Sequence, residues 1–548
     1  MPEDATNLWD GITVGARRTE LHCWDGDGYQ AHPWNEMVRE AEQMTAGLRG
    51  AGVEPGSRVA AVLTNGPQVV RGILAVWLAG GVVASLPVPA RGMGLEEYGE
   101  QLRSIHEQLE PALFLIEERM LKLLPEDLAL ALGVRSWESF ADSGKVELSP
   151  PGDDELAFIQ FSSGSTSAPK GCMLTPKAIL SQVMLNWEMI AGRSFSEDDV
   201  GVTWLPLSHD MGLFGQLLSA WVIDRGLYMS TPERFMLAPR TWFDDMAEVG
   251  AVLTAGTNTA LHLAARSYRS GGPPRELKTK VCIIGGERVE WETLRLVNEL
   301  LGPHGFPEEA LMPAYGLAEA TLAVTATPFA EAPRSLALDA IALAEGVLEE
   351  VPSDSDGATR IVSSGVPCLG VELPGVPSDR LGEIQVKSRS LSIGYYSEPA
   401  RTEERFQDGI LRTGDLGFVA DGYLYPVGRM DDVISIGGRK VYAREIETAV
   451  DALDGVRRGC STVVEQAGTG AGRLTLCVEL KSADVNFDAI ADEAATLAMT
   501  KAGVPLNDCM FLPRGSLPKT PSGKIQRHRC RQMLDAGRFQ PVATVSVG

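Results

Sequence analysis

The sequence has little of what marks several common protein classes. Only 8 of its 548 residues are cysteine and only 7 are histidine, and no C-x-x-C or H-E-x-x-H spacing occurs among them. That argues against a disulfide scaffold or a structural zinc site, and a reducing cytoplasm is expected. Positive charge is in deficit: 49 lysines and arginines against 73 acidic residues leave a net charge of −24. Such a field repels nucleic acid and anionic membrane, so neither is an expected partner. Long apolar runs are lacking too. The longest uncharged one, Gly72 to Ala90, is broken by Gly80-Gly81, Ser85, Pro87 and Pro89, and reads as a buried helix and a strand rather than a membrane span. The opening Met-Pro-Glu-Asp-Ala lacks the basic-then-apolar order of a secretory leader. No internal repeat is visible.

What is present is an ordinary globular balance, 44% hydrophobic and 22% charged, in a chain long enough for three or four packing units. Over the first 280 residues helix and strand signals alternate. Met37, Ala41, Met44 and Leu48 recur at helical spacing, Val59 to Thr64 is a short apolar strand, and Pro67 to Leu78 is a second helix. Leu156–Phe161, Gly201–Leu205, Ala251–Thr254 and Val281–Ile284 read as further buried strands. The expected fold class is α/β, with parallel sheets flanked by helices and ligands bound beyond the strands' carboxyl ends. From about Thr359 short strands and the Asp421-Gly422 hairpin signal predict a small β-barrel subdomain. Glu331 to Ala358 carries little pattern beyond a short helix and reads as an insertion. After Gly428 a hairpin, helix and strand pattern of about 120 residues predicts a smaller α+β domain.

The most specific segment is Phe161-Ser-Ser-Gly-Ser-Thr-Ser-Ala-Pro-Lys-Gly171, placed between a strand and the helix begun by Thr175-Pro176. Its hydroxyls, bare glycine N–H and Lys170 suit polyphosphate, although the Walker spacing is absent. Ala314-Tyr-Gly-Leu-Ala-Glu319, Arg412-Thr-Gly-Asp415, Gly428-Arg-Met-Asp-Asp-Val433 and Pro518-Lys-Thr-Pro-Ser-Gly-Lys524 follow in order. Together these segments resemble the adenylate-forming superfamily of acyl-CoA synthetases, firefly-type luciferases and peptide-synthetase adenylation domains, over nearly the whole chain. Trp204-Leu-Pro-Leu-Ser-His-Asp-Met-Gly212, Ala314 to Leu322 and Leu517 to Arg527 most resemble its fatty acyl-AMP ligase branch, which carries an insertion near 331–358.

The resemblance implies an acid–thiol ligase: ATP and a carboxylic acid give acyl-AMP and pyrophosphate, and a thiol then displaces AMP. It assigns Ser162, Ser163, Gly164, Ser165, Thr166 and Lys170 to the phosphates, Glu319 to Mg²⁺, and Gly285, Gly286, Glu287, Tyr315 and Gly316 to adenine. Asp415 and Arg429 would hold the ribose; His209, Trp204 and Ala314 would meet the acyl group. Lys524, with Thr166 and Glu319, would be catalytic, on a mobile domain of residues 430–548 that turns near Asp431 against residues 1–429. Seven basic residues between Phe511 and Arg538, against Asp535 alone, would face pyrophosphate, CoA or an acidic carrier protein.

Three departures stand out. Ser167 and Ala168 replace the glycine and its neighbour usual in the phosphate loop, Ala443 replaces a proline, and Gly437-Gly438 is a bare double glycine where acyl-AMP ligases carry a bulkier residue. The first leaves open a protein that performs only thioester formation from supplied acyl-AMP. Glycines there permit close approach of pantetheine. They tip the acceptor narrowly toward CoA, against the acyl carrier protein favoured by the insertion and central motifs. An oxidoreductase of the luciferase kind and a non-catalytic acyl-adenylate binding protein are the rival classes; no residue marks oxygen chemistry.

Overall fold

In the computed structural model, residues 7–14, 17–88, 95–122, 124–140, 146–161, 170–190, 195–355, 357–430, 433–436, 439–466, 473–482, 484–519 and 525–547 are described. A six-stranded sheet has the order Val134–Ser136, Leu113–Ile116, Arg58–Val62, Val82–Leu86, Phe158–Phe161 and Gly171–Leu174. Only its last strand is antiparallel. A nine-stranded sheet has at its centre the parallel strands Leu311–Gly316, Val281–Ile284, Leu253–Gly256, Gly201–Thr203, Leu227–Met229 and Glu20–Trp24. The expected α/β class, with parallel sheets under helices, is the observed one.

Local sequence explains the key elements. Gly66 and Pro67 open the helix Pro67–Leu78, with proline at a position where a missing N–H costs nothing. Val69, Val70, Ile73, Leu74, Val76, Trp77 and Leu78 are all buried; only Gln68 and Arg71, the latter paired with Glu40, break an otherwise apolar and covered surface. Its Trp77 donates from Nε1 to the Ala157 carbonyl at 2.9 Å, and Trp34 stacks on Trp221 at 4.9 Å. Each such ring buries about 200 Å², a contribution of roughly 5 kcal/mol. At Asp421-Gly422 both residues take positive φ, 51° and 82°. These join strands Ile410–Ala420 and Tyr423–Arg429 as the hairpin the sequence announces. Those strands and Gly382–Val386 form a small antiparallel sheet.

Two segments differ from expectation. Gly171–Leu174 is a strand antiparallel to Phe158–Phe161, with Phe161 opposite Gly171. An antiparallel strand therefore stands between Phe161 and the helix Pro176–Ile190, where the sequence reading expected the helix directly. Four residues directly before a helix-start signal are too few to show a period. The 331–358 segment is also more ordered than its composition suggests. Ser335–Asp339 pairs antiparallel with Ala358–Val362, and Asp339 caps the helix Ala340–Ala344 through Ile341 and Ala342 N–H. Leu338 and Leu343 are buried with Ile361, Phe418 and Tyr425.

Strands Val456–Gln466, Arg473–Leu480, Asp508–Leu512 and Ala543–Ser546 form the last sheet, covered by Ala443–Val450, Phe487–Ala502 and Arg527–Asp535. Ile446, Val450, Leu476, Val478, Ala494 and Phe511 make a core of their own there. No helix among the described residues is long and apolar enough to cross a membrane.

Candidate active site

The described candidate residues gather beyond the carboxyl ends of the central parallel strands. Val281–Ile284 runs out into Gly285 and Gly286, the latter at φ 77°. Gly285 N–H donates to the Gly256 carbonyl at 3.1 Å, and a Cβ at Gly285 would stand 3.2 Å from the Ala314 carbonyl oxygen. Glu287 accepts from Thr259 N–H at 2.5 Å, which fixes it against the neighbouring loop. At Gly316 a Cβ would lie 2.0 Å from the Leu322 carbonyl oxygen, so only glycine fits. Thr321, between them, holds φ 67° and ψ −48°. A β-branched residue at positive φ is strained; its hydroxyl donates to the Ser390 carbonyl at 2.6 Å and holds the turn.

Tyr315 donates its phenol O–H to Asp415 Oδ2 at 2.7 Å, and Arg429 Nε donates to Asp415 Oδ1 at 3.1 Å. Three of the expected nucleotide residues, from three different strands, thus form one chain. Burial, then the Asp415 charge, pushes the Tyr315 phenol well above its ordinary value, so it stays a donor. Each carboxylate oxygen has a second lone pair, which leaves Asp415 able to accept from a diol.

Glu319 is held by Tyr395, whose O–H donates to Oε1 at 2.8 Å. Tyr395 arrives on a segment zipped to the strand Gly171–Leu174: Met173 N–H donates to Gly394 O, Ile393 N–H to Met173 O and Tyr396 N–H to Gly171 O. Lys170 immediately precedes that strand. Burial, then Arg401, lowers its pKa, with Arg429 and Arg405 adding to the effect and Glu319 opposing it. Arg401 pairs with Glu398 at 2.9 Å, Arg405 approaches Glu383 at 4.0 Å and Arg429 holds Asp415, so cations and carboxylates alternate around Lys170 and Glu319. Arg401 and Arg405 stand one turn apart on the helix Pro399–Arg405. Arg405 also lies over Gly414, whose added Cβ would meet Nη1 at 2.5 Å.

Tyr395, Arg401 and Arg405 were not among the residues expected from sequence. An Arg-x-x-x-Arg spacing after a Gly-Tyr-Tyr turn was the available signal, since i, i+4 places both guanidiniums on one helix face.

Trp204 stacks on Phe235 at 3.8 Å and meets Trp242 edge-on at 5.7 Å, inside the core under the large sheet. His209 is half-buried in the turn before a π-helix, Met211–Leu218, where Leu213 N–H donates to its carbonyl. Ala314 is half-buried beside Gly285. Ser162, Ser163, Gly164, Ser165, Thr166, Ser167, Ala168, Asp431, Gly437, Gly438 and Lys524 lie outside the described residues.

An apolar cavity adjoins the site. It holds about 620 Å³ of space between atoms, its mouth included, and is walled by the π-helix, by Trp187 and Ile190, and by Gly201, Leu227 and Leu253 at the strands' amino ends. Met211 stands beside the lining residue Gly215: a Cβ at Gly286 would meet Met211 Cε at 3.8 Å, and one at Gly215 would meet Met211 Cγ at 3.7 Å. One methionine therefore spans from the Gly285-Gly286 loop to the cavity wall. Unbroken π-helix of this length is rare and is concentrated at functional sites.

This combination is that of an adenylate-forming enzyme, and comparison with known proteins agrees. The family of AMP-binding enzymes matches residues 13–396, and the chain belongs to it. The chain is 31% identical to the long-chain-fatty-acid–AMP ligase FadD32 of Mycolicibacterium smegmatis over 70% of its own length and 69% of the relative's. It is 32% identical to the medium-chain-fatty-acid–[acyl-carrier-protein] ligase JamA of Moorena producens, covering 69% and 67%. A solved structure from work on fatty acyl-adenylate ligases of E. coli and L. pneumophila superposes with a TM-score of 0.85, over 98% of this chain and 99% of that one. Its identity is 23%, so that likeness speaks for the fold alone.

Proposed function

We propose that the protein activates a carboxylic acid with a long apolar chain as its acyl-adenylate and hands the acyl group to the phosphopantetheine thiol of a carrier protein. The observation that carries this reading is the meeting, across Met211, of a site of alternating cations and carboxylates with an apolar cavity. In the first step a carboxylate oxygen of the acid attacks the α-phosphorus of ATP, the P–O bond to pyrophosphate breaks, and acyl-AMP remains. In the second the thiol sulfur attacks the acyl carbonyl, the C–O bond to AMP breaks, and the thiol proton passes to solvent. Lys170, Arg401 and Arg405 would offset the phosphate charge, and Asp415 would accept from the ribose diol while Tyr315 and Arg429 hold its orientation. Glu319, fixed by Tyr395, suits Mg²⁺, which takes one or two carboxylates and fills its shell with phosphate oxygens and water; bound there it would neutralise charge on the phosphates. No residue is asked for covalent catalysis; positioning and charge carry the rate.

Relatives named as an AMP ligase and a carrier-protein ligase support the carrier acceptor, as does the packing of the insertion against the last domain. Thr359, at the insertion's edge, hydrogen-bonds Glu445, and Lys501 donates to the Ala358 carbonyl at 3.0 Å. A second reading, CoA as acceptor, rests on Gly437-Gly438. In either case residues 430–548 would turn near Asp431 between the two steps, bringing and removing Lys524. Pyrophosphate release over a panel of carboxylic acids tests the first step, and parallel thioester assays with CoA and with a carrier protein test the second. Charging of a carrier protein without CoA thioester supports the proposal. Efficient CoA thioester formation transfers support to the second reading, and no pyrophosphate release with any acid overturns both.

A further inference from the structure

The apolar cavity contains one polar group that its surroundings do not account for. Three uncharged polar side chains line it: Asn186, Ser219 and Gln216. The first two have a structural task. A π-helix turn leaves the Phe214 carbonyl exposed to other donors; Ser219 Oγ donates to it at 2.8 Å, and Asn186 Nδ2 donates to Ser219 Oγ at 3.1 Å. Gln216 has no such task. It is 2% exposed, its nitrogen makes only a 3.4 Å contact with the adjoining Gly215 carbonyl, and its Oε1 has no partner. A buried amide oxygen left unpaired costs about 1–3 kcal/mol, and leucine or methionine would fill the same volume without that cost.

We propose that Gln216 is a specificity residue, which selects acids whose apolar chain carries a hydroxyl, aliphatic or phenolic, donating to Gln216 Oε1. The inference rests on the reading of the cavity as the acyl site and narrows its substrate class. The geometry suits a group well away from the carboxylate. Met211 marks the reactive end and Gln216 lies further along the same π-helix, toward the strands' amino ends. A four-residue strand is about 13 Å long, the reach of an extended chain of roughly ten methylenes. An acid without the hydroxyl would leave the amide unpaired on binding. Sites built around one such bond discriminate strongly against the analogue that lacks it.

The test compares matched acids, with and without a hydroxyl at successive chain positions, by kcat/KM for pyrophosphate release. Wild-type protein should favour the hydroxylated member at one or two positions by about 10- to 100-fold, the ratio that corresponds to that unpaired-group cost. Gln216→Leu should abolish the preference by raising activity on the plain acid while the KM for ATP stays unchanged. If the leucine variant does not fold, Gln216→Met makes the same comparison. Pyrophosphate release with no hydroxyl preference at any position, or a preference that survives both substitutions, overturns the inference and leaves the ligase reading standing. Failure to release pyrophosphate with every acid overturns the ligase reading and this inference with it.

Discussion

Arg288, just past the Gly285-Gly286 loop, donates to Glu445 of the helix Ala443–Val450 at 2.5 Å. Two residues on, Glu290 meets Arg458 at 2.7 Å and Arg444 at 3.6 Å. Burial pushes the Glu290 carboxyl up, but the charges of Arg444, Arg458 and Arg288 outweigh it and the net shift is downward. The last sheet is therefore fastened to the large one by pairs of alternating sign, with both anions largely shielded from water. Any turn of that domain must break them. Glu290→Gln should loosen the fastening and increase amide hydrogen exchange over 443–450 relative to wild type, and Arg288→Glu should do the same. The double swap Arg288→Glu with Glu445→Arg should restore protection. Unchanged exchange in both single variants would show that the pairs do not hold the domain.

Tyr395 sets the direction of the Glu319 carboxylate, so its loss should affect metal use before it affects folding. Tyr395→Phe should raise the Mg²⁺ concentration needed for half-maximal pyrophosphate release and lower kcat/KM by about 10-fold, the value of one hydrogen bond to a charged group. A Mg²⁺ titration that superposes on wild type would remove Tyr395 from the site.

Asp415 joins Tyr315 and Arg429, and its oxygens face donors on both sides. Asp415→Asn keeps the shape and removes the charge. The KM for ATP should rise by about 10²-fold while the acid dependence keeps its order of preference. An unaltered ATP dependence would place the ribose elsewhere.

His262, on the helix Asn258–Gly271, faces Arg458, Glu290, Arg266 and Arg269. Burial, then Arg458, lowers its pKa to about 4. Between pH 6.5 and 4 the unfolded imidazole binds a proton that the folded one refuses, so stability is lost as pH falls through that window. Asp451 works the other way. Burial raises its carboxyl to about 6. Between pH 6 and 3.8 the folded state therefore binds the extra proton, and its contribution is lost as pH rises. On going from pH 7.5 to pH 5 the urea midpoint should fall further for wild type than for His262→Gln, the variant lacking the first effect but keeping the second. Parallel pH dependence in the two proteins would refute the assignment.

Much of the fold was legible because its strands and helices are bounded by glycine and proline. Pro67–Leu78 and Val281–Ile284 were both read with their observed limits. The strand Gly171–Leu174 was not, because pairing rather than composition makes four residues a strand. Tyr315, Asp415 and Arg429, expected from ordered motifs to hold nucleotide, are joined by the structure in one hydrogen-bonded chain. Tyr395, Arg401 and Arg405 were missed, since their place beside Glu319 and Lys170 depends on a backbone segment docking to a strand over 200 residues earlier. Trp204, expected beside the acyl group, stacks on Phe235 in the core under the large sheet, a packing that a motif does not announce. The cavity could not be read at all, because its walls come from the ends of separate strands and a π-helix whose widened turn has no sequence period.

Gly215 gives a direct test of the cavity's role. It stands where the π-helix meets Leu322, and a Cβ there would be 2.9 Å from Leu322 Cδ2, a flexible end that can shift. Gly215→Val should therefore fold but narrow the passage between Met211 and the rest of the cavity. Short acids that end before this constriction should react at near wild-type kcat/KM, and the KM for ATP should not change. Long acids must pass it, and steric strain of about 1–3 kcal/mol corresponds to a loss of 10- to 100-fold for them alone. A uniform loss across all chain lengths would mean that valine disturbs the reactive end. No loss for any length would mean that the acyl chain takes another route and that this cavity is not its site.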